Sequence, residues 1–124
     1  MSGNRLLIVD DDPVVQMLLS AVAGRDGWTV TTANDGAEAM TALAGGSFDA
    51  VVTDLNMPNV DGAQLLAHIR SNTQTTTLPV VLLTATADAV RIAELAAAGA
   101  TACMVKPIDP RRFADELRSA LRAP

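Results

Sequence analysis

Three short runs in this chain are apolar at every position: Leu6-Leu7-Ile8-Val9, Ala50-Val51-Val52 and Val80-Val81-Leu82-Leu83. A strand with one face in water alternates polar and apolar residues. A strand without alternation is covered on both faces, and such strands belong to parallel sheets packed between helices. Each run is followed by a stretch with helical spacing, so the constraint points to repeated strand–helix units.

The units can be read in order. Leu6–Val9 is the first strand. Pro13–Ala23 follows as a helix, with Val14, Leu18, Val22 and Val15, Leu19 at helical spacing. Asp12-Pro13 supplies a capping acceptor and a proline at the first helical position. Gly24 and Gly27 bracket the stop. Trp28–Ala33 (WTVTTA) is rich in β-branched residues and reads as the second strand. Asn34-Asp35-Gly36 is a turn, Ala37–Ala44 a helix, and Gly45-Gly46 its end. Ala50–Thr53 is the third strand. Gly62–Ser71 is a helix with Leu65, Leu66 and Ile69 inward. The polar loop Asn72–Thr77 leads through Leu78-Pro79 into a fourth strand, Val80–Thr84. Asp88–Ala98 is an alanine-rich helix ended by Gly99, and Ala102–Val105 is the fifth strand. Asp109-Pro110 repeats the helix start. Arg111–Arg122 is the last helix, with Phe113, Leu117 and Leu121 on one face.

This is α/β architecture: five βα units, a parallel sheet, helices on both sides. Its 124 residues suit one domain, and 49% apolar content suffices for a core. No linker, repeat or low-complexity segment interrupts it, so residues 1–124 are expected to form a single domain. No apolar run nears the roughly 18 residues of a membrane span, and the start, MSGNRLL, lacks a secretory signal. The lone Cys103 has no internal disulfide partner, which fits a reducing compartment. A cytoplasmic location away from membranes is expected. The net charge of −5 and the absence of tyrosine argue against nucleic-acid binding. The arginines of the last helix are interleaved with Asp115 and Glu116, as on a solvated face.

Sheets of this kind bind ligands where the C-terminal ends of the strands meet the loops. Strand one ends in Asp10-Asp11, strand three in Asp54, strand four in Thr84 and strand five in Lys106-Pro107. Strand two ends in a plain turn. Three carboxylates drawn to one edge repel one another. A divalent cation and the Lys106 ammonium would relieve them. An all-oxygen donor set with room for water and phosphate suits Mg²⁺ better than a caged Ca²⁺. A carboxylate can also act as a nucleophile and become an acyl phosphate. A phosphoryl group arriving at Asp54 would meet the cation, Lys106 and the Thr84 hydroxyl. The chain has no glycine-rich phosphate cradle, so the phosphoryl donor must lie elsewhere.

Other polar residues have plainer readings. Asp12 is a helix cap. Asp61-Gly62 and Pro58 shape a turn and a helix entry. His68 is a helix histidine without a second ligand nearby. Met17, Met40, Met57 and Met104 read as core filling.

VDDDP at 9–13, TDLNMPNVDG at 53–62, PVVLLTA at 79–85 and VKP at 105–107 resemble the response-regulator receiver domain of two-component signalling, the chemotaxis-regulator type included. The resemblance covers roughly Arg5 to Leu121. It implies a flavodoxin-like sheet of strand order 2-1-3-4-5. It implies Asp54 as phosphoacceptor, Thr84 as switch hydroxyl and Lys106 as the phosphoryl-pairing lysine, followed by a cis bond to Pro107. For Mg²⁺ it implies Asp11 as a direct ligand, Asp10 acting largely through water, Asp54, and the main-chain carbonyl of Asn56. It implies self-phosphorylation and dephosphorylation rather than turnover as an enzyme. The implied donor is the phosphohistidine of a sensor histidine kinase or histidine phosphotransfer protein. The implied output surface is about residues 88–122, read by a downstream protein, with the chain a monomer or weak dimer.

One position departs from the family pattern. Receivers usually carry Tyr or Phe three residues before the lysine, and here that position is Cys103. Its plain reading is a small buried apolar residue, and a free thiol there also opens redox modulation. Two rival functions fit these residues less well. A receiver-like binding module that is never phosphorylated would lack site residues, and all are present. An aspartyl-nucleophile phosphatase needs a second Asp two residues after the first, where this chain has Asn56.

Overall fold

In the computed structural model, which describes residues 4–57 and 59–122, the apolar runs lie side by side. In chain order the elements are β1 (Arg5–Val9), α1 (Pro13–Arg25), β2 (Thr29–Ala33), α2 (Gly36–Gly45), β3 (Ala50–Asp54), α3 (Gly62–Ser71), β4 (Val80–Thr84), α4 (Ala89–Ala97), β5 (Ala102–Val105) and α5 (Pro110–Arg122). All neighbouring strands are parallel, in the order β2-β1-β3-β4-β5. That is the doubly wound, flavodoxin-like order. Pro58, expected to shape the loop after β3, lies outside the described residues.

Strand alternation feeds two separate apolar layers. Leu7, Val9, Val51 and Leu82 face Ala39, Leu65, Leu66, Ile69 and Leu95 from α2, α3 and α4. Leu6, Ile8, Val52, Val81 and Leu83 face Leu19, Ala23, Phe113 and Leu117 from α1 and α5. Every residue of β3 and β4 is buried.

Several boundaries moved, each for a local reason. β2 starts at Thr29 because the Trp28 N–H donates to the Ala23 carbonyl at 3.1 Å and closes the end of α1. α1 passes through Gly24 and stops only before Gly27, whose φ of 98° is left-handed. Asp35 and Asp88 act as caps, their side chains accepting from the N–H groups of Glu38 and Val90. Of the two stripes on α1, the one through Val15, Leu19 and Ala23 is covered, whereas the other meets the core only at Val22. Val14 is 69% exposed and Leu18 42%. Met17, expected in the core, is 72% exposed because it shares that outward face. Met104 is buried, and Met40 and Met57 pack half-buried against the core.

At the edge opposite the strand ends that carry the acids, Arg70 on the last turn of α3 ties two loops together. Its guanidinium donates to the Leu78 carbonyl at 2.6 Å and the Gly99 carbonyl at 3.0 Å. Charged donors to main-chain acceptors contribute about 1.5–3 kcal/mol. Arg70→Met, which keeps the apolar stem, is expected to lower unfolding stability by about 2 kcal/mol in urea titration. A loss below the error of the titration would show that water replaces the guanidinium without penalty.

Candidate functional site

The site is built by the chain leaving β1, β3, β4 and β5. Asp10 follows β1 directly. Its N–H still donates to the Ala33 carbonyl at 3.1 Å, so it stays in line with the sheet, fully buried. Asp11 beside it is exposed. Asp54 is the last residue of β3 and 5% exposed, so the strand runs one residue beyond the expected Thr53. The chain then turns sharply. The Gly62 N–H donates to the Leu55 carbonyl at 2.8 Å, and a Cβ on Gly62 would lie 2.8 Å from Leu55 Cα. Only glycine lets α3 begin this close to the strand end. Asp61 and Gln64 complete a reciprocal capping box there.

Oxygens of Asp10, Asp11 and Asp54 all lie within 4.8 Å of one another. Lys106 follows β5, with its N–H donating to the Thr84 carbonyl at 2.8 Å. Its Nζ sits 3.1 Å from Asp54 Oδ1 and 3.7 Å from Asp10 Oδ2. The Lys106–Pro107 bond is cis. Thr84, buried at the end of β4, accepts from the Thr86 N–H at 3.1 Å. Asn56 is exposed in the loop two residues past Asp54.

Asp10 Oδ1 accepts from the Asp12 N–H at 2.9 Å, whereas its buried Oδ2 has no hydrogen-bond partner. Burial pushes the Asp10 carboxyl above its ordinary pKa, and the charge of Asp54 adds to this. The Asp12 N–H and Lys106 only partly offset the rise. Burial pulls the Lys106 ammonium down, but the hydrogen bond and charge of Asp54, with Asp10, leave its pKa raised. Three carboxylates thus face a single ammonium, two negative charges more than Lys106 can offset. Asp10→Asn, which keeps the acceptor for Asp12, is expected to stabilise the metal-free protein by about 1 kcal/mol at neutral pH. A carboxyl whose folded pKa is raised lowers stability as pH climbs from the unfolded value to the folded one. The gain should therefore vanish near pH 3.8, the ordinary value, and grow above it. Urea titrations across that range check it, and a gain that does not change with pH would contradict it.

The remaining expectations fall into place individually. Asp12 caps α1 through the Val14 N–H at 2.9 Å. His68 is exposed on α3 and outside the acid cluster. Cys103 is half-buried in β5, paired with Leu82, and packs against the α2–α4 layer. Burial pushes its thiol pKa up, so it is protonated at neutral pH. One contributor went unnoticed in the sequence. Gln16, on α1, points its amide at the chain leaving β1 and β2. Its signal was a lone polar residue in the apolar stretch Val14–Leu19.

An open parallel sheet with an acid cluster and a lysine at its switch-point edge defines a doubly wound α/β binding domain. The family model for the response regulator receiver domain matches residues 6–118. The chain belongs to that family and is a receiver domain of two-component signalling. It is 40% identical to the transcriptional regulatory protein TcrA of Mycobacterium tuberculosis over 124 residues, covering 99% of this chain and 46% of TcrA. It is 40% identical to the sensor histidine kinase RcsC of Salmonella typhimurium over 103 residues, covering 83% of this chain and 11% of RcsC. It is 37% identical to the chemotaxis protein CheY-3 of Vibrio cholerae over 114 residues, covering 91% and 88%. The chain thus spans less than half the length of TcrA and a small part of RcsC. Among solved structures, the Vibrio cholerae chemotaxis response regulator CheY4 superposes with a TM-score of 0.91 at 29% identity, covering 96% of this chain and 99% of that one. Among the described residues, no helix is long and apolar enough to cross a membrane.

Proposed function

We propose that Asp54 is the phosphoacceptor of this receiver and that residues 1–124 act as one domain in the cytoplasm. The observation that carries the reading is the meeting of Asp10, Asp11 and Asp54 within 4.8 Å, with Lys106 3.1 Å from Asp54. An Asp54 carboxylate oxygen attacks the phosphorus of a partner's phosphohistidine. The new O–P bond forms as the N–P bond breaks, and the imidazole leaves with the electron pair. Lys106 pairs with the incoming phosphoryl oxygens. Thr84, at the end of the neighbouring strand, accepts from the Thr86 N–H through its oxygen, and its own O–H proton can donate to the phosphoryl group. The chain lowers its own barrier to phosphorylation and dephosphorylation, and no separate substrate is turned over.

Asp10, Asp11, Asp54 and the Asn56 main-chain carbonyl are the groups that would hold Mg²⁺. Hard oxygen donors and the buried Asp10 Oδ2, which has the Lys106 charge 3.7 Å away but no hydrogen bond, fit a small divalent cation. When bound, the ion supplies positive charge to the phosphoryl oxygens in flight. The donor is a sensor histidine kinase or a histidine phosphotransfer protein. RcsC, a sensor histidine kinase, contains a region similar to this chain. The output surface is α4, β5 and α5, where Val90 and Val105 are 68% and 41% exposed and available to a downstream protein. Acetyl phosphate with Mg²⁺ tests the reading. The wild-type chain is expected to gain one base-labile phosphoryl group by mass spectrometry, and to lose it when EDTA replaces Mg²⁺ from the start. No gain from acetyl phosphate or a phosphohistidine donor would sink it.

A further inference from the structure

We infer that Gln16 is a positioning residue for the acid cluster: its amide fixes the peptide that joins Asp10 to Asp11, and so sets where both carboxylates stand relative to Asp54. The inference rests on the metal-assisted reading above. Gln16 is half-buried on α1. Its Nε2 lies 2.5 Å from the Asp10 carbonyl, 3.1 Å from the Ala33 carbonyl and 2.9 Å from Asn34 Oδ1. Three oxygens around one atom require an N–H donor, so the chemistry alone settles which end of the amide points inward. The Asp10 carbonyl belongs to the peptide that carries Asp11. Without Gln16 that peptide loses this tie and is freer to rotate.

The far anchor is itself held. The Asn34 N–H and its amide nitrogen each donate to Glu38 Oε1 at 3.0 Å. Glu38 lies in the first turn of α2. The tie therefore runs from the acid pair across the β1–β2 ends to α2. No Gln16 contact reaches a carboxylate oxygen of Asp10, Asp11 or Asp54, so its role is orientation. Groups that orient metal ligands typically alter affinity by about 10- to 100-fold.

The test is Mg²⁺ titration of the unphosphorylated full chain, followed by amide chemical shifts. Gln16→Met keeps length and removes the donor. Its Mg²⁺ Kd is expected to rise about tenfold. Acetyl phosphate labelling should need correspondingly more Mg²⁺, with the rate at saturation close to wild type. Arg70→Met serves as the reference for lost stability alone, and its Mg²⁺ affinity should match wild type. Wild-type affinity in Gln16→Met, or an equal loss in Arg70→Met, overturns the inference and leaves the reading of the site intact. A wild-type chain that binds no Mg²⁺ overturns both. Should Gln16→Met not fold, Gln16→Ala carries the test: it removes the same donor without setting a longer apolar chain against the Asp10 carbonyl, and unchanged Mg²⁺ affinity there overturns the inference.

Discussion

Asp54→Asn is expected to take up no phosphoryl group from acetyl phosphate or from a phosphohistidine donor. The carboxamide has no anionic oxygen to attack phosphorus, and its nitrogen lone pair is tied up in resonance. The fold should persist. Asn keeps an oxygen that can face Lys106, and removing one of three crowded charges relieves repulsion with Asp10, whose carboxyl pKa the Asp54 charge helps to raise. Mass spectrometry of wild type and variant under the same Mg²⁺ concentration decides the matter. Labelling of Asp54→Asn at the wild-type rate would move the acceptor to another acid, with Asp11 next in line because it shares the cluster.

Lys106→Met ranks second. The ammonium lies 3.1 Å from Asp54 and, among the described residues, is the cation paired with the proposed acceptor carboxylate. Removing one fixed positive group from a site where negative charge develops lowers rates by about 10²–10³-fold. Phosphorylation by acetyl phosphate should slow by about that factor while Mg²⁺ binding persists, since the three carboxylates remain. A second readout separates charge pairing from simple packing. The Lys106 pKa is raised in the fold, so its stabilising effect is complete below the ordinary value of 10.5 and fades as pH rises through the higher folded value. Wild type should lose that contribution in alkaline solution and Lys106→Met should not. A variant that keeps the wild-type rate and the same alkaline loss would remove Lys106 from the chemistry.

Much of the fold was legible because β1, β3 and β4 each carry an unbroken apolar run (Leu6–Val9, Ala50–Val52 and Val80–Leu83), which leaves them only the middle of a covered sheet. Parallel connection then forces every strand end to one edge. That is why Asp10, Asp11, Asp54 and Lys106 could be grouped before any distance was known. The faces of α1 were not legible. Val14-Leu18 and Val15-Leu19 both have helical spacing, and spacing alone does not say which stripe meets the sheet. The structure buries Leu19 and exposes Val14. Gln16 was illegible for a different reason. Two of its three acceptors are main-chain carbonyls, and Ala33 lies 17 residues away, so no side-chain pattern announces them. The strand order itself came from the family resemblance, because parallel units of this kind admit more than one order.

The two jaws of the site are mounted differently. Asp54 rides on β3, a strand sealed above and below and bonded on both sides. Lys106 hangs from β5, the margin of the sheet, where only Met104 is fully covered. A vice with one jaw set in masonry and the other on a spring converts any tightening into travel of the sprung side. Under the proposed reading, charge gathered at Asp54 would displace β5 rather than the centre, and β5 belongs to the proposed output face.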